Sequence, residues 1–437
     1  MSKTNKDVII LGFALFAMFF GAGNLIFPPF LGVISGSNWL IGFGGFILSD
    51  VGLALLAIIA AAKCNGEVDK VLSRSGKKLG IILGSAIMIC LGPLLAIPRT
   101  AATTFEMGIS PLFNGFSPVL FSIIFFVITF ILTIKPSKVV DIIGQILTPA
   151  LLIALGVLIV KGILSPLGEM SSASMSENLF EEGVKQGYQT MDALGAAALS
   201  TVIISSLSNK GYKNENQKVK LTLKAGIVAA IGLILVYGGL TYLGATVSTM
   251  YGQDVAKTSL IVEITASLLG KPGKIILAII VMLACLTTAI GLTSATAQFF
   301  DKTTNGKLKY ELIVTIVCIF SAIVSNFGVS TIIKFSGPIL DIIYPATIVL
   351  VIMTLLGNKI KNNNAFKGAT YVALIVSIIT VLNNMKLINI PFINELPFSS
   401  IGFNWILPVL IGAIIGNFVP SFDKNNKELE FRANKVG

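Results

Sequence analysis

The chain has 437 residues; 54% are apolar, only 12% are charged, and mean hydropathy is +0.88. An average soluble domain carries roughly 25% charged residues, so a chain this apolar cannot cover a water-facing surface and must lie in a membrane. It has no histidine, which removes the usual general base near neutral pH and any histidine-based zinc site; its formal charge is +11.

Apolar runs of about 20 residues, the length that crosses a bilayer, recur to the end of the chain. They predict an all-α polytopic membrane protein with twelve spans. These lie near residues 7–35, 39–62, 78–108, 116–134, 139–163, 185–208, 223–246, 274–300, 309–326, 332–356, 367–386 and 401–419. The first run is too long for a signal peptide and has no small-x-small cleavage site, so it is read as part of the mature protein. The longest loops are 164–184 and 247–273, and the second contains Leu260 to Leu269, which predicts a short helix over the outer surface. The boundary between spans nine and ten, around Ser325 to Lys334, is the least marked. Cys64, Cys90, Cys285 and Cys318 are scattered without a C-x-x-C pair and read as small buried hydrophobes.

The basic residues sort by side. With the amino terminus inside, 24 of the 32 Lys and Arg fall in inner segments, seven fall outside, and Arg99 lies within a span. This bias predicts an even number of spans with both termini in the cytoplasm, including a tail at 420–437. The net positive charge is then a topology signal rather than a sign of a nucleic-acid partner.

Two spans carry signs of a break. The first reads F-F-G-A-G-N-L-I-F-P-P from Phe19 to Pro29. Gly21 and Gly23 lower the cost of unwinding at mid-membrane, and Pro28 and Pro29 remove two donors. Unwinding exposes the amides of Ala22 and Gly23 at the amino end of an upper half-helix, which favours an anion such as a carboxylate. Asn24 follows directly. The alternative is helix packing through small residues. The sixth span reads Y-Q-T-M-D-A-L-G from Tyr188 to Gly195 and places Thr190, Met191 and the acid Asp192 within the membrane. An intramembrane acid is a functional-site candidate, either receiving an ammonium group or holding a backbone break. Phe20, Met191 and Leu194 are candidates for an apolar subsite. Breaks in spans one and six suit two five-span repeats, at 7–163 and 185–356, inserted in opposite orientations, with two further helices at 367–419.

The eighth span offers a cation site. Ala284, Thr287 and Thr288 share one helix face, with two hydroxyls and a carbonyl as hard oxygen ligands. The carbonyls of Ala17 and Phe20, freed by the break in span one, would complete it. The bland alternative is that both threonines bond to their own helix. In the third span, Arg99 needs a partner or water. Glu106 is two turns away, Asp50 and Asp341 are other candidates, and the role of Arg99 is an outer gate or a scaffold charge.

The motifs G-A-G-N-L-I-F-P-P (21–29) and G-P-L-L-A-I-P-R-T (92–100) resemble those of the branched-chain amino acid:cation symporter family, within the amino acid–polyamine–cation superfamily. The resemblance covers essentially the whole chain. It implies a leucine-transporter-like core of five plus five inverted spans, with helices 1 and 6 discontinuous, plus two extra helices. It also implies import of leucine, isoleucine and valine across the cell membrane. Many superfamily members carry G-S-G where this chain has Gly21-Ala22-Gly23; the exchange loses a hydroxyl but keeps the amides. Thr287 and Thr288 match the hydroxyl pair that binds Na⁺ in sodium-coupled members, and Ala17 and Phe20 match the carbonyl positions. Some proton-coupled relatives carry a Lys in span five, whereas D-I-I-G-Q-I-L-T-P-A (141–150) has none, which favours Na⁺ as the coupling ion. No other cofactor is implied.

The function read from the sequence is therefore a Na⁺-coupled symporter that works by alternating access. A proton-coupled or differently selective carrier of the same fold is the rival. No ring of repeated polar residues suggests a channel, and no motif suggests a membrane enzyme.

Overall fold

A computed structural model describes residues 3–64, 68–113, 115–135, 145, 148–357, 360 and 362–420. Glycine, proline and capping residues set where its helices start and stop. The first span is split into α1 (Lys3–Phe19) and α2 (Ala22–Ser35) around Phe20 and Gly21. The second comprises α3 (Trp39–Ile47), a wider π turn over Leu48–Gly52, and α4 (Leu53–Lys63). A short α5 (Val68–Ser73) leads to α6 (Lys77–Ile89). A π turn at Cys90–Leu94, opened by non-helical Gly92 and by Pro93, then precedes α7 (Ala96–Thr104). Next come α8 (Pro118–Thr133), started by Pro118 behind the cap Ser117, and α9 (Thr148–Leu164).

The sixth span is α10 (Leu179–Thr190) and α11 (Asp192–Asn209), bent by 44° at Met191. It starts at Leu179 rather than near 185. Asn178 accepts a hydrogen bond from the Glu181 amide, and two acids occupy the first turn, so a polar segment folds as helix ahead of the apolar run. Then follow α12 (Glu215–Ala245) and α13 (Lys257–Thr303), which is kinked at Gly270, where φ is 63°. The segment ahead of that kink contains the helix predicted at Leu260 to Leu269. The unclear boundary between spans nine and ten falls at Gly328, between α14 (Tyr310–Val324) and α15 (Val329–Leu355). The chain ends in α16 (Asn363–Asn384), a single turn α17 (Phe392–Glu395) and α18 (Ile406–Phe418).

Helix therefore occurs in each of the twelve predicted stretches, and no strand occurs among the described residues. In the fifth stretch the helix is described from Thr148 onward; 136–144, 146 and 147 lie outside the described residues, as does the tail from 421. Among the described residues, seven helical segments are long and apolar enough to cross a membrane, or eight with the bent pair α10 and α11. Large apolar side chains are exposed along α8, α9 and α14, as a lipid-facing surface requires; the exposed charges Lys161 and Glu311 lie at helix ends. Cys90, Cys285 and Cys318 are buried and Cys64 is half-buried.

The elements around the breaks approach backbone to backbone. A Cβ at Gly32 would overlap the Thr241 carbonyl oxygen, and one at Gly244 would overlap that of Pro29, so α2 and α12 meet without side chains between them. The same holds for α3 and α10, where Gly183 lies against Gly42 and Gly45 against Phe180. The last two helices pair through Gly368, Gly412 and Gly416 and join the rest through α15. At one end, Asp7 accepts from the Tyr212 hydroxyl and lies 3.8 Å from Lys210.

Candidate functional site

The first break frees a carbonyl. In an unbroken helix the Gly21 amide would donate to the Ala17 carbonyl. Here it donates to Asn24 Oδ1 at 3.0 Å, so Asn24 caps the start of α2 from inside its own first turn. The Ala17 carbonyl is then open, and α13 meets it: Thr287 Oγ1 lies 2.8 Å away and Thr288 Oγ1 3.2 Å. Thr287 Oγ1 is also 2.9 Å from the Ala284 carbonyl. Four of the five predicted cation ligands, Ala17, Ala284, Thr287 and Thr288, are thus within reach of one another. For Phe20, the described contacts are those of its ring, stacked between Phe16 and Tyr237. The donors are neutral oxygens, and among the described residues no cluster of His, Cys, Asp and Glu suits a metal ion. Such a set fits a monovalent cation better than a divalent one.

The second break has a different cause. Met191 ends α10 in the left-handed region, with φ 70° and ψ 9°, a conformation that costs a non-glycine residue roughly 1–2 kcal/mol. The carbonyls just before it are taken by Arg99 of α7. Its Nη1 donates to the Gln189 carbonyl at 2.8 Å and Nη2 to the Thr190 carbonyl at 3.3 Å. A buried cation at a helix carboxyl end is favourable on both counts. The predicted carboxylate partners are therefore replaced by carbonyls. Among the described residues no ion pair joins Arg99 to Asp50, Glu106 or Asp341. Glu106 instead accepts from the Val329 amide at 2.8 Å and caps α15, and Asp341 is exposed on α15.

The two breaks are tied by side chains. Asn24 Nδ2 donates to Asp192 Oδ2 at 2.8 Å and also to the Tyr237 hydroxyl, which itself lies 3.2 Å from that same carboxyl oxygen. Asp192 opens α11, where the helix dipole favours its negative charge. Thr190 Oγ1 lies 2.9 Å from Asp50 Oδ1, and Asp50 sits in the π turn of the second span. The same Thr190 hydroxyl accepts from the Asp192 amide at 3.4 Å, so Asp50 and Asp192 share one neighbour. Sequence reasoning missed Tyr237 and gave Asp50 no role here. The available signals were a tyrosine and an acid in mid-span, each of which must find a partner in lipid.

Between the breaks lies a cavity whose lining residues are all buried. Of the predicted substrate residues, Gly21, Ala22, Gly23, Asn24, Thr190, Met191 and Asp192 line it. Phe20 and Leu194 do not; Leu194 faces a second cavity beside Ala57 and Leu350. The reason is periodicity. Leu194 is two residues from Asp192, about 200° around the helix, whereas Gly195 and Leu199 follow Asp192 at i+3 and i+7 and share its face. The apolar wall is Phe19, Met191 and Leu199 together with Leu91 and Leu292 from neighbouring helices. Thr288 lines the same cavity, so the oxygen cluster adjoins it. The arrangement can receive an anion at the amides of Ala22 and Gly23, a cation at Asp192, and an apolar group between them.

Comparison with known proteins places this geometry. A family model for branched-chain amino acid transport proteins matches residues 4–423. The chain is 37% identical to the branched-chain amino acid permease BraB of Bacillus subtilis (strain 168), over 97% of this chain and 98% of the relative. It is 36% identical to a putative branched-chain amino acid carrier protein of Staphylococcus aureus (strain USA300), with the same coverage. Among solved structures it resembles Mhp1, a nucleobase-cation-symport-1 family transporter with bromovinylhydantoin bound (TM-score 0.65, 13% identity). That match covers 96% of this chain and 95% of the other. It also resembles a Na⁺-coupled sialic acid symporter (0.64, 14%; 94% and 90%) and MhsT in complex with L-phenylalanine (0.55, 16%; 93% and 98%). At these identities the structural likeness shows the fold: an all-α, leucine-transporter-like arrangement with discontinuous helices 1 and 6.

Proposed function

The chain belongs to the branched-chain amino acid transport protein family, and from that premise we propose that it is a secondary active symporter importing leucine, isoleucine and valine with Na⁺. It is a multi-pass membrane transporter, not an enzyme. The observation that carries the reading is the convergence of free amides, an acid and an apolar wall on one buried cavity, with a neutral oxygen cluster beside it. The amides of Ala22 and Gly23 hold the substrate carboxylate, and Asp192 holds its ammonium group. Phe19, Met191, Leu91, Leu199 and Leu292 enclose the side chain. An apolar wall separates side chains by only about 1–3 kcal/mol per methylene, so the three substrates compete with one another.

Na⁺ sits among Ala17, Ala284, Thr287 and Thr288, where the two hydroxyls turn their lone pairs inward and release the Ala17 carbonyl. This ion links α1 to α13 and so favours the conformation in which those helices touch, which is how coupling arises. Spans one, two, six and seven rock against the remainder, 7–163 and 185–356 act as the two inverted repeats, and both termini face the cytoplasm of the cell.

A proton-coupled carrier is the second reading. It is favoured by Asp50, whose Oδ2 is buried without a hydrogen-bond partner and which shares Thr190 with Asp192, since two neighbouring buried carboxyls can share one proton. Uptake of radiolabelled leucine into proteoliposomes separates the two. Uptake driven by an inward Na⁺ gradient at equal pH is expected; uptake driven by a pH gradient alone would transfer the coupling role to the carboxyl pair.

A further inference from the structure

Arg99 holds more donors than its partners use. Its side chain is 2% exposed, yet it lines the cavity. A guanidinium has five N–H groups in a fixed fork. Two bonds go to the carbonyls of Gln189 and Thr190, while Nε, equally buried, has no acceptor. Leaving such a donor unpaired in the membrane interior is costly, and an anion that arrives with a substrate removes the cost.

The place where that anion would arrive is defined. A Cβ built on Gly23 would lie 2.9 Å from Arg99 Nη2, so the guanidinium rests against the backbone of the first turn of α2. The amides of Ala22 and Gly23 open on that turn without helical acceptors. On its other side the guanidinium is backed by Phe27, whose ring centroid is 5.6 Å from Cζ; Lys257 Nζ lies 5.0 Å from the same ring. The fork is therefore fixed from two directions, by carbonyls and by an aromatic face, while the residue lines the cavity and its Nε is unpartnered.

From this geometry we infer that Arg99 is a substrate-binding residue: its guanidinium and the amides at the start of α2 grip the substrate carboxylate together. This rests on the amino acid reading above and deepens it. The consequences are twofold. Carboxylate recognition takes its positive charge from the protein, so it needs no second cation at that end of the substrate. Binding also joins the two breaks, because Arg99 holds the end of α10 while the carboxylate holds the start of α2.

The test is competition against radiolabelled leucine on purified full-length protein in saturating Na⁺, using unlabelled L-leucine and L-leucinamide, which lacks the negative charge. Two charge-assisted hydrogen bonds predict that wild-type protein prefers leucine by at least about 100-fold. Arg99→Gln is expected to shrink that preference to within about fivefold. Arg99→Lys, the fallback if the first variant does not fold, is expected to weaken leucine about tenfold and leucinamide by less than threefold. A purely structural role would weaken both ligands equally, so an unchanged ratio in either variant overturns the inference. Equal binding of both ligands by wild-type protein overturns it as well. No leucine binding to wild-type protein at all would instead sink the branched-chain reading on which it rests.

Discussion

The breaks in the first and sixth spans open onto the same cavity and are made in different ways. The first is written locally. Glycine relaxes the chain at position 21, and Asn24, three residues on, supplies the cap that an unbroken helix would not need. The second has no glycine at the turn. Met191 is held in a left-handed conformation, and the carbonyls exposed before it are satisfied by Arg99, which lies about ninety residues earlier in the chain. One break is thus intrinsic to its segment, and the other is imposed by its neighbours. A local break survives rearrangement of the helices around it, whereas an imposed one depends on Arg99 remaining in place.

Four variants sharpen this contrast. The largest effect is expected from Asp192→Asn, which keeps the shape of the link between the breaks but removes its charge: leucine affinity should fall about 100-fold in a binding assay. An unchanged affinity would leave Asp192 as a structural tie alone. Next is Gly21→Ala. The added Cβ would lie 2.8 Å from Thr288 Oγ1, so the first break and the oxygen cluster are disturbed at once. Overpacking of this kind costs about 2 kcal/mol, and Na⁺-driven uptake should fall roughly 30-fold. The double variant Thr287→Ala, Thr288→Ala leaves the break intact and removes only its cation ligands. It should raise the Na⁺ concentration for half-maximal uptake by about tenfold, while unchanged Na⁺ dependence would move the ion elsewhere. The smallest effect is expected from Met191→Gly. It relieves about 1 kcal/mol of left-handed strain and leaves the contacts of Arg99 in place, but it removes one side chain from the apolar wall, so uptake should fall by about fivefold. A large loss there would mean that the side chain, not the bend, is what the second break provides.

The same contrast explains what could be read in advance. The first break, the threonine pair and the acid at 192 are legible because glycine, hydroxyls and charge are conspicuous in an apolar run. The fold class follows from the spacing of those runs. The exact turn at Met191 is not legible, since nothing in a methionine signals a left-handed backbone; it is set by tertiary contact. A sequence points to carboxylates as the partners of Arg99, because pairing is read from side-chain charge, whereas the backbone carbonyls it meets leave no mark in a sequence. The start of α10 at Leu179 was legible in its Asn178 cap and first-turn acids, but an apolar-run criterion passes over them. Leu194 lies on another cavity because a step of two residues from Asp192 points across the helix.

The glycine contacts between α2 and α12, and between α3 and α10, carry a mechanical consequence. A seam of backbone against backbone has no side chains to re-pack, so it has no intermediate positions in which to rest. It behaves as a weld. Pieces of four helices from spans one, two, six and seven, two of them halves of broken spans, are clamped into a single stiff plate, and sliding is left to borders where side chains still interleave. The smallest residues in the chain thereby decide which parts of the molecule are machinery and which are frame.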